Sequence, residues 1–175
     1  MKNFYRVAQG VDITPLNIAI ARRPEIWKED TYLRDYPQGP FGDVETIMLR
    51  FPVKGVFETE KEVENHLSTY DMHESIDYPM YKTLTEARPI VMSLMARVEG
   101  ERLGRVMINK ICPGGVIFPH ADTPAHAEYY SRFHAARPVQ ILSLSSVLKT
   151  ACRPLPSQFS QKISVISVIS VVNLF

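Results

Sequence analysis

Apolar and polar positions over the first 136 residues fall into blocks that predict short helices followed by strands. Thr14-Pro15 reads as an N-cap with proline at the first helical position, leading into Leu16, Ile18, Ala19 and Ile20, and Pro24 opens a second short segment containing Trp27. Val44 to Phe51, between Gly42-Asp43 and Pro52, is rich in strand-forming residues and predicts a strand. Leu84, Ala87, Val91, Leu94, Met95 and Val98 recur at helical spacing and predict one apolar stripe over 84–99, with Pro89 near its first turn and Gly100 at its end. Arg105 to Cys112 and Val116 to His120 flank Pro113-Gly114-Gly115 and predict strand, turn, strand.

Beyond about Arg137 the pattern changes. Residues 142–146 and 163–171 are Ser-rich and locally repetitive, a compositional bias rather than a patterned element. All 19 acidic residues lie at or before Glu128; with 15 basic residues they give that part −4, and the five basic residues after it give +5. The expectation is a main unit over 1–137, made of a helical extension and a β-rich part, and an atypical Ser-rich tail over 138–175.

Composition narrows the function classes. With 175 residues, 45% of them hydrophobic, and a net charge of +1, the chain suits one domain with its own core. No polybasic arm is present, which argues against binding nucleic acid through phosphate neutralisation. Cys112 and Cys152 stand far apart without metal-ligand or disulfide-scaffold spacing, so a reducing cytoplasm is expected. The first residues show no apolar leader pattern, and the uncharged run Ile163 to Phe175 falls short of the ~20 residues of a membrane helix, so neither export nor membrane insertion is expected.

Candidate chemistry centres on His120 and Asp122. Side chains alternate along an extended segment, so His-x-Asp can present imidazole and carboxylate on one side. With a second histidine such a pair forms the facial triad of non-haem Fe(II); with His126 it could instead hold zinc. His126 and Glu128 repeat the spacing, so three residues alone leave a solvated loop histidine open as well. His66 and His73, among Glu62, Glu64, Asp71 and Glu74, read as part of a solvated polar face, and Tyr129 and Tyr130 as packing aromatics.

A longer pattern carries more information. The stretch from Arg105 through Pro113-Gly114-Gly115 to Phe118-Pro119-His120-Ala121-Asp122, followed by Tyr129-Tyr130-Ser131-Arg132-Phe133-His134, resembles the aspartyl/asparaginyl β-hydroxylase-like family of Fe(II)/2-oxoglutarate-dependent dioxygenases. The resemblance covers roughly residues 40–136. It implies a mainly β fold with N-terminal helices (α+β), a double-stranded β-helix or cupin-like jelly roll. It implies His120 and Asp122 as iron ligands and Arg132 and His134 as residues binding the 2-oxoglutarate co-substrate. Asn109, eleven positions before His120 where the family has a serine, would also touch the co-substrate. The implied activity is hydroxylation of an aspartyl or asparaginyl side chain or of a small molecule. The family continues with a distal iron histidine and a second co-substrate arginine, whereas no histidine follows His134 here. The expectation is therefore a jelly roll incomplete at its C-terminus, its last ~38 residues drawn from a shifted reading frame or a recombined gene end. A non-catalytic jelly-roll binding module and a zinc-binding protein are the alternatives.

Overall fold

A computed structural model describes residues 6–36, 39–54, 59–69, 71, 73–111, 114–120, 128–139 and 163–172. Asp122, His126, Cys112 and Cys152 lie outside them. The fold is mixed α+β, and among the described residues no helix is long and apolar enough to cross a membrane.

The N-terminal helices form where the sequence places them, with one correction. Helix α1 spans Thr14–Ala21, so Thr14 is already helical rather than the cap, and it is Asp12 Oδ1 that accepts the Thr14 N–H at 2.9 Å. An aspartate reaches a backbone N–H two residues ahead, and here that geometry supplies the start signal. Leu16 and Ile20, one helical turn apart, are buried. A 3-10 turn at Pro24–Lys28 buries Ile26 and Trp27, and a single turn, α2, follows at Tyr32–Asp35.

Strand β1 (Val44–Phe51) is buried along most of its length, as expected of a strand covered on both faces. Helix α3 (Glu60–Thr69) opens with a capping box, in which Thr59 Oγ1 accepts the Glu62 N–H and the Glu62 carboxylate accepts the Thr59 N–H, each at 3.3 Å. Strand β2 (Ile76–Asp77) pairs with Arg50 and Phe51. Of the stripe predicted over 84–99, residues 87–97 form helix α5 (Ala87–Arg97); a separate short helix, α4 (Pro79–Thr83), precedes it, with the fully buried Leu84 between them. Pro89 sits in the first turn of α5, where backbone N–H groups have no intrahelical acceptor to lose. The left-handed residue that closes α5 is Glu99 (φ 50°), and the Gly100 N–H donates to the Met95 carbonyl at 2.9 Å.

Strand β3 (Arg102–Ile111) alternates buried and half-buried positions. Strands β4 (Ser131–Val139) and β5 (Ile163–Val172) complete an antiparallel sheet in the order β2-β1-β3-β5-β4. The repetitive Ile-Ser-Val text is thus an internal strand: its β-branched residues suit a pleated backbone, and ladders on both sides satisfy its N–H and C=O groups. The strand predicted over 116–120 does not form; residues 115–120 are irregular.

One core joins the helices to a single face of the sheet. Leu16, Ile20, Ile26, Trp27, Tyr81, Leu84, Ala87 and Val91 cluster with Ile47, Leu49, Val106 and Ile108, and Phe133 of β4 packs against them. At its margin the cross-strand neighbours Lys110 and Glu45 form an ion pair, with Lys110 Nζ 4.5 Å from the centre of the Trp27 ring.

Candidate functional site

The register decides which predicted site residues can act together. Asn109 lies opposite Ile166 of β5, and Ile166 lies opposite Ala136 of β4, so Asn109 and Ala136 share a face. Arg132 and His134 stand four and two positions before Ala136, and with a side-chain period of two they share that face as well. The neighbouring position Phe133 belongs to the helix-packed side. Asn109, Arg132 and His134 therefore occupy the side of the sheet away from the helical core. At usual strand spacings, the Cα of Asn109 is about 12 Å from that of His134 and about 16 Å from that of Arg132.

This face is mixed, with Val44 and Met48 of β1 buried on it beside one polar link between strands. Thr46, a cross-strand neighbour of Asn109, donates its hydroxyl proton to Asn109 Oδ1 at 2.9 Å, which orients the amide. Thr46 is buried, Asn109 half-buried, and Arg132 and His134 are exposed. Partial desolvation, and next the Arg132 charge, hold the His134 imidazole below its ordinary range. A neutral imidazole beside a guanidinium offers a small anion one fixed charge and an uncharged hydrogen-bonding group.

His120 sits at one end of the sheet, in the irregular segment rather than at the end of a strand. That segment is fastened to the turn leading into β1: the Val116 N–H donates to Asp43 Oδ2 at 3.0 Å, the Phe118 N–H donates to the Pro40 carbonyl at 3.1 Å, and the His120 ring meets Phe41 edge to face at 5.1 Å between centroids. The two prolines, Pro113 and Pro119, lack backbone donors, which disfavours a continuous ladder here. His120 Nδ1 lies 2.8 Å from the Phe118 carbonyl oxygen. A carbonyl can only accept, so Nδ1 is the donor in this contact, the kind of backbone contact by which metal-ligating histidines are commonly oriented.

Asp122, the second iron ligand implied by the sequence, lies outside the described residues, as does His126. Among the described residues no group of three or more His, Cys, Asp or Glu could hold a metal ion. Of the two implied iron ligands the described residues include His120, and no reaction step is routed through a metal.

Two features escaped the sequence. Thr46 carries no signal in a single strand, because its link to Asn109 is a property of register. His73 is half-buried rather than solvated and stacks on Tyr129, with 4.0 Å between ring centroids. Comparison with known protein families, curated proteins and solved structures finds no match.

Proposed function

We propose that the chain is an Fe(II)/2-oxoglutarate-dependent dioxygenase-like protein of jelly-roll type, acting on an aspartyl or asparaginyl side chain or on a small molecule in a cytoplasmic setting. The observation that supports this best is the common face of Asn109, Arg132 and His134, the three positions that the family resemblance assigns to the co-substrate. A dicarboxylate on that face would meet the Arg132 guanidinium, whose planar fork suits a carboxylate better than a lysine would. The Asn109 amide, oriented by Thr46, offers N–H donors to a second oxygen. The resemblance gives His120 and Asp122 as the iron ligands; His120 stands at the end of the sheet opposite the start of β4, which puts it nearer to Asn109 than to Arg132. Bound iron and 2-oxoglutarate would supply the oxidising chemistry, while the protein's part is binding and orientation.

The test is an anaerobic titration with Fe(II) and 2-oxoglutarate, following the visible metal-to-ligand charge-transfer band in the wild type and in His120→Ala. A band that saturates near one iron per chain and is lost in His120→Ala supports the proposal. A folded protein without a band rejects it. The second reading is a non-catalytic jelly-roll binding module, which would keep the fold and bind no iron together with 2-oxoglutarate. Retention of zinc without dependence on 2-oxoglutarate would point instead to a zinc protein.

A further inference from the structure

At the end of the sheet opposite His120, residues from four segments meet around the start of β4. Tyr130, buried, donates its hydroxyl proton to the His73 carbonyl, and its ring lies against the backbone of Gly104 in β3. Arg102 donates to the Tyr129 hydroxyl at 3.1 Å and pairs with Asp71 at 2.8 Å. Asp71 also accepts the His73 N–H at 2.8 Å. Arg50 of β1 pairs with Asp77 and donates to the carbonyls of Ser75 and, at 3.4 Å, of Leu103 and Gly104.

We infer that Arg102 and Tyr130 are positioning residues for Arg132 and His134, because the contacts of Arg102 with Tyr129 and Asp71, and of Tyr130 with Gly104 and His73, pin the entry of β4 directly to β3. The ladder explains why such a pin is needed. Strand β5 separates β4 from β3, and its register against β3 shifts between Leu103 and Val106, beside the point where β4 begins. A one-residue slip of β4 would turn Arg132 and His134 toward the helical core and Phe133 away from it. Tyr129 and Tyr130 immediately precede the strand, so fixing them fixes which residues follow onto which face.

The anion-binding part of this inference rests on the proposed function, whereas the positioning part does not. The experiment compares wild type, Arg102→Met, Arg102→Lys and Tyr130→Phe by two readouts: the NMR titration of the His134 imidazole, and calorimetric binding of 2-oxoglutarate in the presence of Mn(II). Emission from Trp27 reports whether the core is intact, and Tyr130→Phe keeps the ring over Gly104 should Arg102→Met fold poorly. The expected result is that Arg102→Met and Tyr130→Phe move the His134 titration away from its wild-type position and weaken 2-oxoglutarate binding by roughly tenfold or more, with Arg102→Lys recovering part of both. If both folded variants leave the His134 titration unchanged, the positioning role is overturned. If that titration moves but wild type binds no 2-oxoglutarate, the positioning role stands and the dioxygenase reading falls.

Discussion

Replacing Gly104 by alanine puts a methyl group where the Tyr130 ring already is. A Cβ built on Gly104 would lie 2.6 Å from Tyr130 Cε1, 2.8 Å from Cζ and 3.0 Å from Cδ1. Carbon atoms in contact settle at about 3.5–4.0 Å, so the ring must retreat by about 1 Å. Tyr130 has little freedom to do so, being 3% exposed and tied through its hydroxyl to the His73 carbonyl. Overpacking of this kind costs roughly 1–3 kcal/mol, and losing the hydroxyl bond adds about 0.5–1.5 kcal/mol, so Gly104→Ala should destabilise by about 2–4 kcal/mol. The one tryptophan, Trp27, is buried in the core, so its emission follows unfolding in urea. The midpoint should fall by roughly 1–2 M. In a Tyr130→Val background the same substitution should cost little, because the obstructing ring is gone. A Gly104→Ala protein within about 0.5 kcal/mol of wild type, or an equal penalty in both backgrounds, refutes the proposed contact.

Three further outcomes follow from the same contacts. Lys110→Met leaves the Glu45 carboxylate without its cation in a largely buried setting and should cost about 3–5 kcal/mol, most of it recovered in Lys110→Met/Glu45→Leu; urea unfolding of the two variants checks this. The Asp71 carboxyl, hydrogen-bonded first by Arg102 and then by the His73 N–H, is held below its usual range. Its contribution is therefore present above the unfolded value near 3.8 and is lost as the pH falls through the lower folded value, so Asp71→Asn should flatten the acid limb of a stability–pH profile. Deleting residues 163–172 strips the ladder partners from facing edges of β3 and β4 and should abolish cooperative unfolding in calorimetry.

Much of the fold was legible where local chemistry and periodicity agree. Val44 to Phe51 is the strand its composition predicts, and Leu84, Ala87 and Val91 are buried together as their spacing requires. The misreadings have physical causes. Helix α3 is absent from the predicted elements because its apolar content is low, although Thr59-x-x-Glu62 is a capping-box start signal; its described side chains are exposed, in keeping with the solvated polar face read there. The irregular course of 115–120 was missed because Val116, Ile117 and Phe118 have strand propensity. That propensity is overridden by side-chain and backbone contacts to Asp43 and Pro40, which no local pattern encodes. For the candidate site, residue types could be named from the sequence, but their common face depends on a pairing through β5, the segment whose period-three repeat carries no strand alternation.

That dependence couples binding to stability. Phe133, between Arg132 and His134 in the chain, packs against the helical core, so the same strand geometry that buries the ring presents its two polar neighbours on the other face. The core thereby sets the orientation of the candidate anion site before any anion arrives. By linkage, an anion that binds only this folded arrangement stabilises it, by about 2.7 kcal/mol at a hundred times its Kd. A dicarboxylate that raises the unfolding temperature of the wild type should do so less in Arg132→Gln. It should lose the effect in Phe133→Ala even where that variant still folds, since the ring that fixes the strand's facing is gone. Equal stabilisation of all three proteins would place the dicarboxylate elsewhere and remove the sheet face from consideration.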